Sequence, residues 1–149
     1  MTTPTADRCR WWGVIGYEVS MFRWAINISV KADQLLANSI TETKILHTRN
    51  LCDFCTSTRR NDIKPSDLFD NYDADPRYKT LRELTKLLDQ EYGKSDRRGD
   101  ARWTFNKMLA HPTKERGTSF DYTSSLQRVA PMLHDIIREL ETLRGRAFV

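Results

Sequence analysis

Apolar residues recur at helical spacing along most of this chain, and that periodicity constrains its fold more than any other feature. Strand-like alternation of apolar and polar residues is absent. The clearest stripe lies in residues 123–143. It consists of Leu126, Val129, Ala130, Leu133, Ile136, Ile137, Leu140 and Leu143. The pattern predicts an all-α protein, a helical bundle of four to five helices.

Capping residues set several of the predicted helix ends. Asp75 and Pro76 are typical of a helix start, and Gly93 is typical of a helix end. Pro131 falls on the solvent side of the last helix, where it can kink that helix or divide it. The expected elements are helices over residues 14–37, from a cap at Ser39 or Thr41 to Ser57, over 76–92, over 101–110 and over 123–143, with a loop at 58–75 that holds one short turn at 66–70.

The first predicted helix, residues 14–37, is apolar over most of its circumference. Its polar stripe is narrow and consists of Ser20, Arg23, Asn27, Lys31 and Gln34. Such a helix is buried on several sides of a bundle or lies in a subunit interface, so we expect a homodimer. A chain of 149 residues can form one core. We expect a single helical domain over 1–149, in which residues 1–12 can be a flexible N-terminus.

Composition excludes several classes of protein. With 39% hydrophobic and 10% aromatic residues, the chain is too apolar for an intrinsically disordered protein. No apolar run approaches the roughly 20 residues that span a bilayer, and the start of the chain lacks a secretory pattern, so we expect no membrane partner. An odd number of cysteines, three, argues against a disulfide framework and favours the cytoplasm. The net charge of +4 permits an acidic partner such as nucleic acid.

The helix predicted over residues 101–110 carries the most suggestive polar groups. Lys107 and His111 are neighbours one turn apart, as are Arg102 and Asn106. Thr104, Lys107 and His111 are expected on the face opposite the core. An imidazole can exchange protons near neutral pH, and a nearby cation can hold a phosphate, which together suit metal-independent RNA cleavage. Alternatively, His111 only ends the helix, where its positive charge suits the helix dipole.

Residues 106–113, Asn-Lys-Met-Leu-Ala-His-Pro-Thr, resemble the conserved segment of the HEPN superfamily, in which an arginine precedes a histidine by four to six residues. The resemblance implies a HEPN-like bundle and a cytoplasmic endoribonuclease of a toxin–antitoxin or defence system. It also implies a homodimer with a shared RNA cleft, and an antitoxin-like protein partner. His111 would be the acid or base, with Asn106 and Lys107 beside it. Asn106 and Phe105 occupy the arginine's spacing, and relatives without the catalytic set bind or scaffold instead.

Arg49 is the candidate for the missing cation. It lies on an otherwise apolar helix, where a charged side chain needs a partner. One interpretation is that Arg49 reaches across the helix pair and serves as a phosphate ligand near His111. The other is a structural ion pair between Arg49 and Asp53, Glu18 or Asp33. Both interpretations predict that Arg49 is not freely solvated.

The sequence gives weaker indications of a metal site and of a protein-binding function. Cys52 and Cys55 with His47 resemble half of a zinc site, and His47, His111 and His134 on separate helices resemble the metal site of DinB-like bundles. A lone Cys-x2-Cys on a helix also fits one buried face, so we expect no metal and no cofactor. The remaining alternative to an RNA-directed module is a noncatalytic helical bundle that binds another protein.

Overall fold

The computed structural model describes residues 5–31, 33–109 and 122–149, and within these ranges the chain is helical, without strands. This confirms the all-α bundle. None of the described helices is both long and apolar enough to cross a membrane. The helices are α1 (Thr5–Ile26), α2 (Gln34–Thr56), the short α3 (Pro65–Leu68), a 3-10 turn (Pro76–Tyr78), α4 (Lys79–Tyr92), α5 (Ala101–Leu109) and α6 (Tyr122–Arg144).

Helix α2 is the centre of the bundle, because it packs against α1, α4, α5 and α6. Its buried residues point in several directions and include polar His47 and Thr48 beside Ile45, Leu51 and Phe54. Around it, α4 and α6 pack on each other, and α5 fits against α2 and α6. Helix α4, the third of the predicted helices, is therefore part of the core.

Residues 14–37 do not form one helix, contrary to the periodicity. Helix α1 ends at Ile26, and α2 begins at Gln34 after Asp33, whose carboxylate accepts a hydrogen bond from the Leu36 backbone at 2.9 Å. The intervening run Ile-Asn-Ile-Ser-Val is rich in β-branched residues and in side chains that bond to the backbone. Breaking the helix there lets α1 fold back on α2, so that both bury an apolar face.

Most other helix ends agree with the sequence pattern. Asp75 caps the 3-10 turn that leads into α4, and its carboxylate accepts from the backbone of Arg77 at 2.9 Å. Gly93 ends α4 with a φ of 73°, a value that only glycine adopts readily. Pro131 lies on the exposed side of α6, which continues through it. Neither Ser39 nor Thr41 caps α2, since both lie inside that helix.

The contact between α1 and α2 contains a buried polar pair. Nδ1 of His47 lies 2.6 Å from Oε2 of Glu18, and Asn50 donates to the same oxygen at 3.2 Å. Because a carboxylate only accepts hydrogen bonds, Nδ1 of His47 carries the hydrogen. Glu18 is thereby satisfied within the helix pair and is not a partner for Arg49.

The two ends of the described chain meet on α1. Residues 5–12 are the first part of α1, whereas residues 1–4 lie outside the described residues. Trp12 packs edge-on against Phe69, with ring centroids 5.5 Å apart. Phe148 is buried against Trp12, and the Phe148 backbone donates to Glu141 at 2.9 Å. Glu141 also pairs with Arg23 of α1. The residues after α6 are thus anchored to the first helix by one aromatic ring and one shared carboxylate.

We expect Phe148→Ala to lower the free energy of unfolding by about 3 kcal/mol, since it removes a buried aromatic ring and leaves a cavity beside Trp12. Urea denaturation followed by circular dichroism measures the loss. The matched control is Val149→Ala, whose side chain is exposed. Equal midpoints for the two variants would contradict the anchoring role of Phe148.

Candidate functional site

A polar concavity in the described part of the chain lies where α2, α4 and α5 end or begin. It consists of two adjoining cavities of about 640 Å³ and about 90 Å³. The two share Ser57, Arg59, Ser95 and Arg102 in their walls. We call the pair the basic cleft, because arginine is the most frequent residue around its smaller cavity, as Arg49, Arg59 and Arg102.

The segment after α2 forms one wall of the basic cleft. Ser57 ends α2, and its backbone donates to the Asp53 carbonyl at 2.8 Å. The Ser57 hydroxyl accepts from the backbone of Arg59 at 3.1 Å and donates to the carboxylate of Asp62. This local turn brings Arg59 to the cleft wall, where its side chain has no ion-pair partner among the residues that the structure describes.

The opposite wall depends on Gly93 and Arg102. A Cβ atom at Gly93 would lie 2.2 Å from Oδ2 of Asp100, the oxygen that accepts from the Lys94 backbone at 2.9 Å. Arg102 donates to the Gly93 carbonyl at 2.8 Å, to Thr56 at 3.0 Å and to Asp89 at 3.1 Å. Its guanidinium also lies 4.4 Å from the centre of the Tyr92 ring. Arg102 therefore joins α5 to α2 and α4, and its donors are largely used in that role.

Arg49 is held differently. Its Nε forms an i,i+4 ion pair with Oδ2 of Asp53 at 3.6 Å, as the structural alternative predicts. This distance is too long for a hydrogen bond, and that nitrogen is buried without a hydrogen-bond acceptor in the described structure. The side chain is 34% exposed, so Arg49 is not freely solvated, as predicted. Asp53 accepts from the Tyr92 hydroxyl at 3.2 Å, and burial raises the pKa of its carboxyl although Arg49 opposes the shift.

The structure brings together two of the four predicted site residues. Arg49 and Asn106 both line the smaller cavity, across the packing of α2 on α5. Lys107 lies elsewhere, with its amine 5.9 Å from the centre of the Trp103 ring. His111 is outside the described residues. Thr104, predicted on the solvent face, is buried, because α5 packs against α2, α4 and α6.

Sequence reasoning missed Arg59 and gave Arg102 no role. Arg59 belongs to a run of two arginines in a polar loop, a pattern that resembles an ordinary solvated surface. Arg102 was one turn too early for the HEPN pattern, although its spacing from Asn106 already put both on one face of α5. Both residues reach the cleft through contacts between helices, which the local sequence does not indicate.

The metal alternative gains no support. Within residues 5–31, 33–109 and 122–149, no three His, Cys, Asp or Glu side chains converge as a metal site. Burial raises the pKa of both the Cys52 and Cys55 thiols, which disfavours the thiolate that binds zinc. Nδ1 of His47 is hydrogen-bonded to Glu18, and His134 packs against Phe22 with ring centroids 5.1 Å apart.

Comparison of the chain with protein-family models, with curated proteins and with solved structures finds no match. The HEPN-like relationship therefore stays a prediction from residues 106–113. The basic cleft offers guanidinium groups, an amide and hydroxyls as hydrogen-bond donors, and its walls also hold five carboxylates, those of Asp53, Asp62, Asp89, Asp96 and Asp100. Its larger cavity has a volume typical of small-ligand sites.

Proposed function

We propose that this protein is an RNA-directed helical module that holds the phosphate backbone of single-stranded RNA in the basic cleft. The observation that carries the proposal is the convergence of Arg49, Arg59 and Asn106 on one small cavity beside a much larger one. Arginine forms paired, charge-assisted hydrogen bonds to phosphate, and phosphate contacts dominate affinity for nucleic acids.

The hydrogen bonding of the arginines supports a ligand-binding role rather than a purely structural one. Arg102 uses Nε and one terminal nitrogen for hydrogen bonds within the protein, whereas Nε of Arg49 is buried with no hydrogen-bond acceptor in the described structure. A buried donor that lacks a partner costs free energy, which a phosphate oxygen would recover. The resemblance of residues 106–113 to the HEPN segment connects this proposal with ribonucleases of toxin–antitoxin and defence systems.

We expect the double variant Arg49→Gln/Arg59→Gln to bind single-stranded RNA about tenfold to hundredfold more weakly than the parent protein, since two charge-assisted contacts are lost. The slope of log affinity against log salt should fall by about 1.4, because two fewer phosphate charges are neutralised. Fluorescence anisotropy with a labelled oligonucleotide measures both quantities. Arg138→Gln, on the exposed side of α6, is the matched control. Absence of RNA binding by the parent protein at low salt would refute the proposal.

The catalytic form of the proposal rests on His111. If the module cleaves RNA, His111 is the general acid or base and Lys107 the neighbouring cation, so His111→Ala should slow cleavage by about 100-fold or more. Gel analysis of a labelled RNA measures the rate, and circular dichroism checks that helix content is kept. His134→Gln is the control histidine variant. A parent protein that binds RNA without cleaving it would leave a noncatalytic binding module.

A second candidate, protein interaction, is favoured by an exposed apolar face on α1. Val14, Tyr17 and Trp24 share one side of that helix by their spacing, and Tyr17 and Trp24 are 57% and 50% exposed. We propose that a second copy of this chain covers the face. Antiparallel packing of two α1 helices would set Val14 against Trp24 and Tyr17 against Met21, a self-complementary arrangement of large and small apolar side chains. The HEPN-like resemblance also implies such a dimer.

We expect the parent protein to have twice the 17.5 kDa mass of the chain at micromolar concentration, and Trp24→Glu to give the 17.5 kDa species. The reason is that a carboxylate at position 24 would face Val14 of the second copy and be buried there without a partner. Light scattering coupled to size exclusion measures the mass. Leu87→Glu, at an exposed leucine of α4, is the control. Only the 17.5 kDa species for the parent would refute the homodimer.

A further inference from the structure

We propose, on the basis of the proposed RNA-binding function, that the smaller cavity is a seat for a terminal phosphomonoester of an RNA strand, recognised independently of the base. The larger cavity would take the nucleotide that carries this phosphate. The walls suit this terminal nucleotide better than they suit sequence-specific contacts with bases or the middle of a strand.

The size of the two cavities assigns the parts of the ligand. The smaller, at about 90 Å³, has room for a phosphate and much less room for a nucleoside than the larger cavity has. The larger, about 640 Å³, lies within the usual range for small-ligand sites. The smaller cavity is also the more enclosed. A chain end can enter such a recess, whereas a continuous strand would need to leave it again.

Hydrogen-bond donors favour a monoester over a diester. The smaller cavity is lined by three arginines and two carboxylates, those of Asp53 and Asp62. Nε and one terminal nitrogen of Arg102 donate to Gly93, Thr56 and Asp89, so Arg49 and Arg59 are the arginines most available to a ligand. A terminal phosphate offers three free oxygens to their guanidinium groups, whereas a diester offers two.

Each of the two carboxylates already accepts a hydrogen bond from a hydroxyl group of the protein. Asp62 accepts from the Ser57 hydroxyl, and Asp53 accepts from the Tyr92 hydroxyl at 3.2 Å. Asp53 nevertheless lies 3.6 Å from Nε of Arg49 and does not satisfy it. A phosphate oxygen would supply the acceptor that Asp53 fails to provide.

Indifference to the base follows from the other side chains in the walls. The described residues that line the two cavities include no aromatic ring on which a base could stack. Tyr92, the nearest ring, is fully buried beneath the guanidinium of Arg102. Trp103 is likewise buried, and Arg98 and Lys107 lie over its ring.

The test compares three labelled octanucleotides of one sequence, with a 5′-phosphate, with a 3′-phosphate and with hydroxyl groups at both ends. We expect at least tenfold tighter binding of one phosphorylated form than of the hydroxyl form, and the two phosphorylated arms identify which end is recognised. Replacing every uracil of that sequence by adenine should change the affinity less than threefold. Anisotropy at a single salt concentration measures all of these.

Two variants localise the effect. Arg49→Gln should reduce the affinity ratio of phosphorylated to hydroxyl RNA to about one, and Asp53→Asn should raise it, because Asn keeps the acceptor for Tyr92 and removes the competing charge. Arg138→Gln should leave the ratio unchanged. Equal affinity of the parent protein for all three oligonucleotides would overturn the phosphate seat and leave RNA binding intact. Binding of none of them would overturn the proposed function itself.

Discussion

Helix α2 packs against four other helices, so most side chains in its second half, residues 45–56, must be accommodated by protein rather than by water. Its apolar residues meet this requirement by joining the core, and His47 meets it through Glu18. Arg49 and Asp53 lie where the packing of α2 on α4 and α5 leaves a gap. The basic cleft is therefore a consequence of the same packing that builds the core, and its shape depends on how the ends of α2, α4 and α5 are held.

Arg102 and Gly93 hold those ends. The guanidinium of Arg102 connects the α4 end, the α2 end and the start of α5, and it covers the Tyr92 ring. The absence of a Cβ at Gly93 leaves room for Asp100 to cap the following loop. With the walls fixed by these contacts, Arg49 and Arg59 need no rearrangement of the backbone to meet a ligand. Preorganised donors of this kind bind an anion at a smaller entropic cost than mobile surface side chains do.

Local sequence predicted the elements well, because helix periodicity and capping act over a few residues. The bounds of α4, α5 and α6 agree with the pattern around Pro76, Gly93 and Leu140. The break between α1 and α2 was not predicted, since residues 27–31 keep a helical apolar pattern. Their β-branched side chains and the burial that α1 gains against α2 together favour the break. The site was predicted in part. Arg49 and Asn106 do lie at one cavity. Arg59 reaches the same cavity because of a local turn, and helix periodicity does not predict such a turn.

The net charge of +4 is a poor guide to what this cleft attracts. Arginines and carboxylates alternate around the smaller cavity, so its long-range field is weak and the cleft would not collect anions by attraction alone. The cleft is distinguished by the hydrogen bonds that its own side chains make. Asp62 and Asp53 accept from hydroxyl groups, Arg102 donates to the backbone and to Asp89, and Arg49 is left with a buried donor and no acceptor. Selectivity in such a site comes from one unmet hydrogen bond at short range, and it favours a ligand that brings its own oxygen into the recess over one that only carries charge.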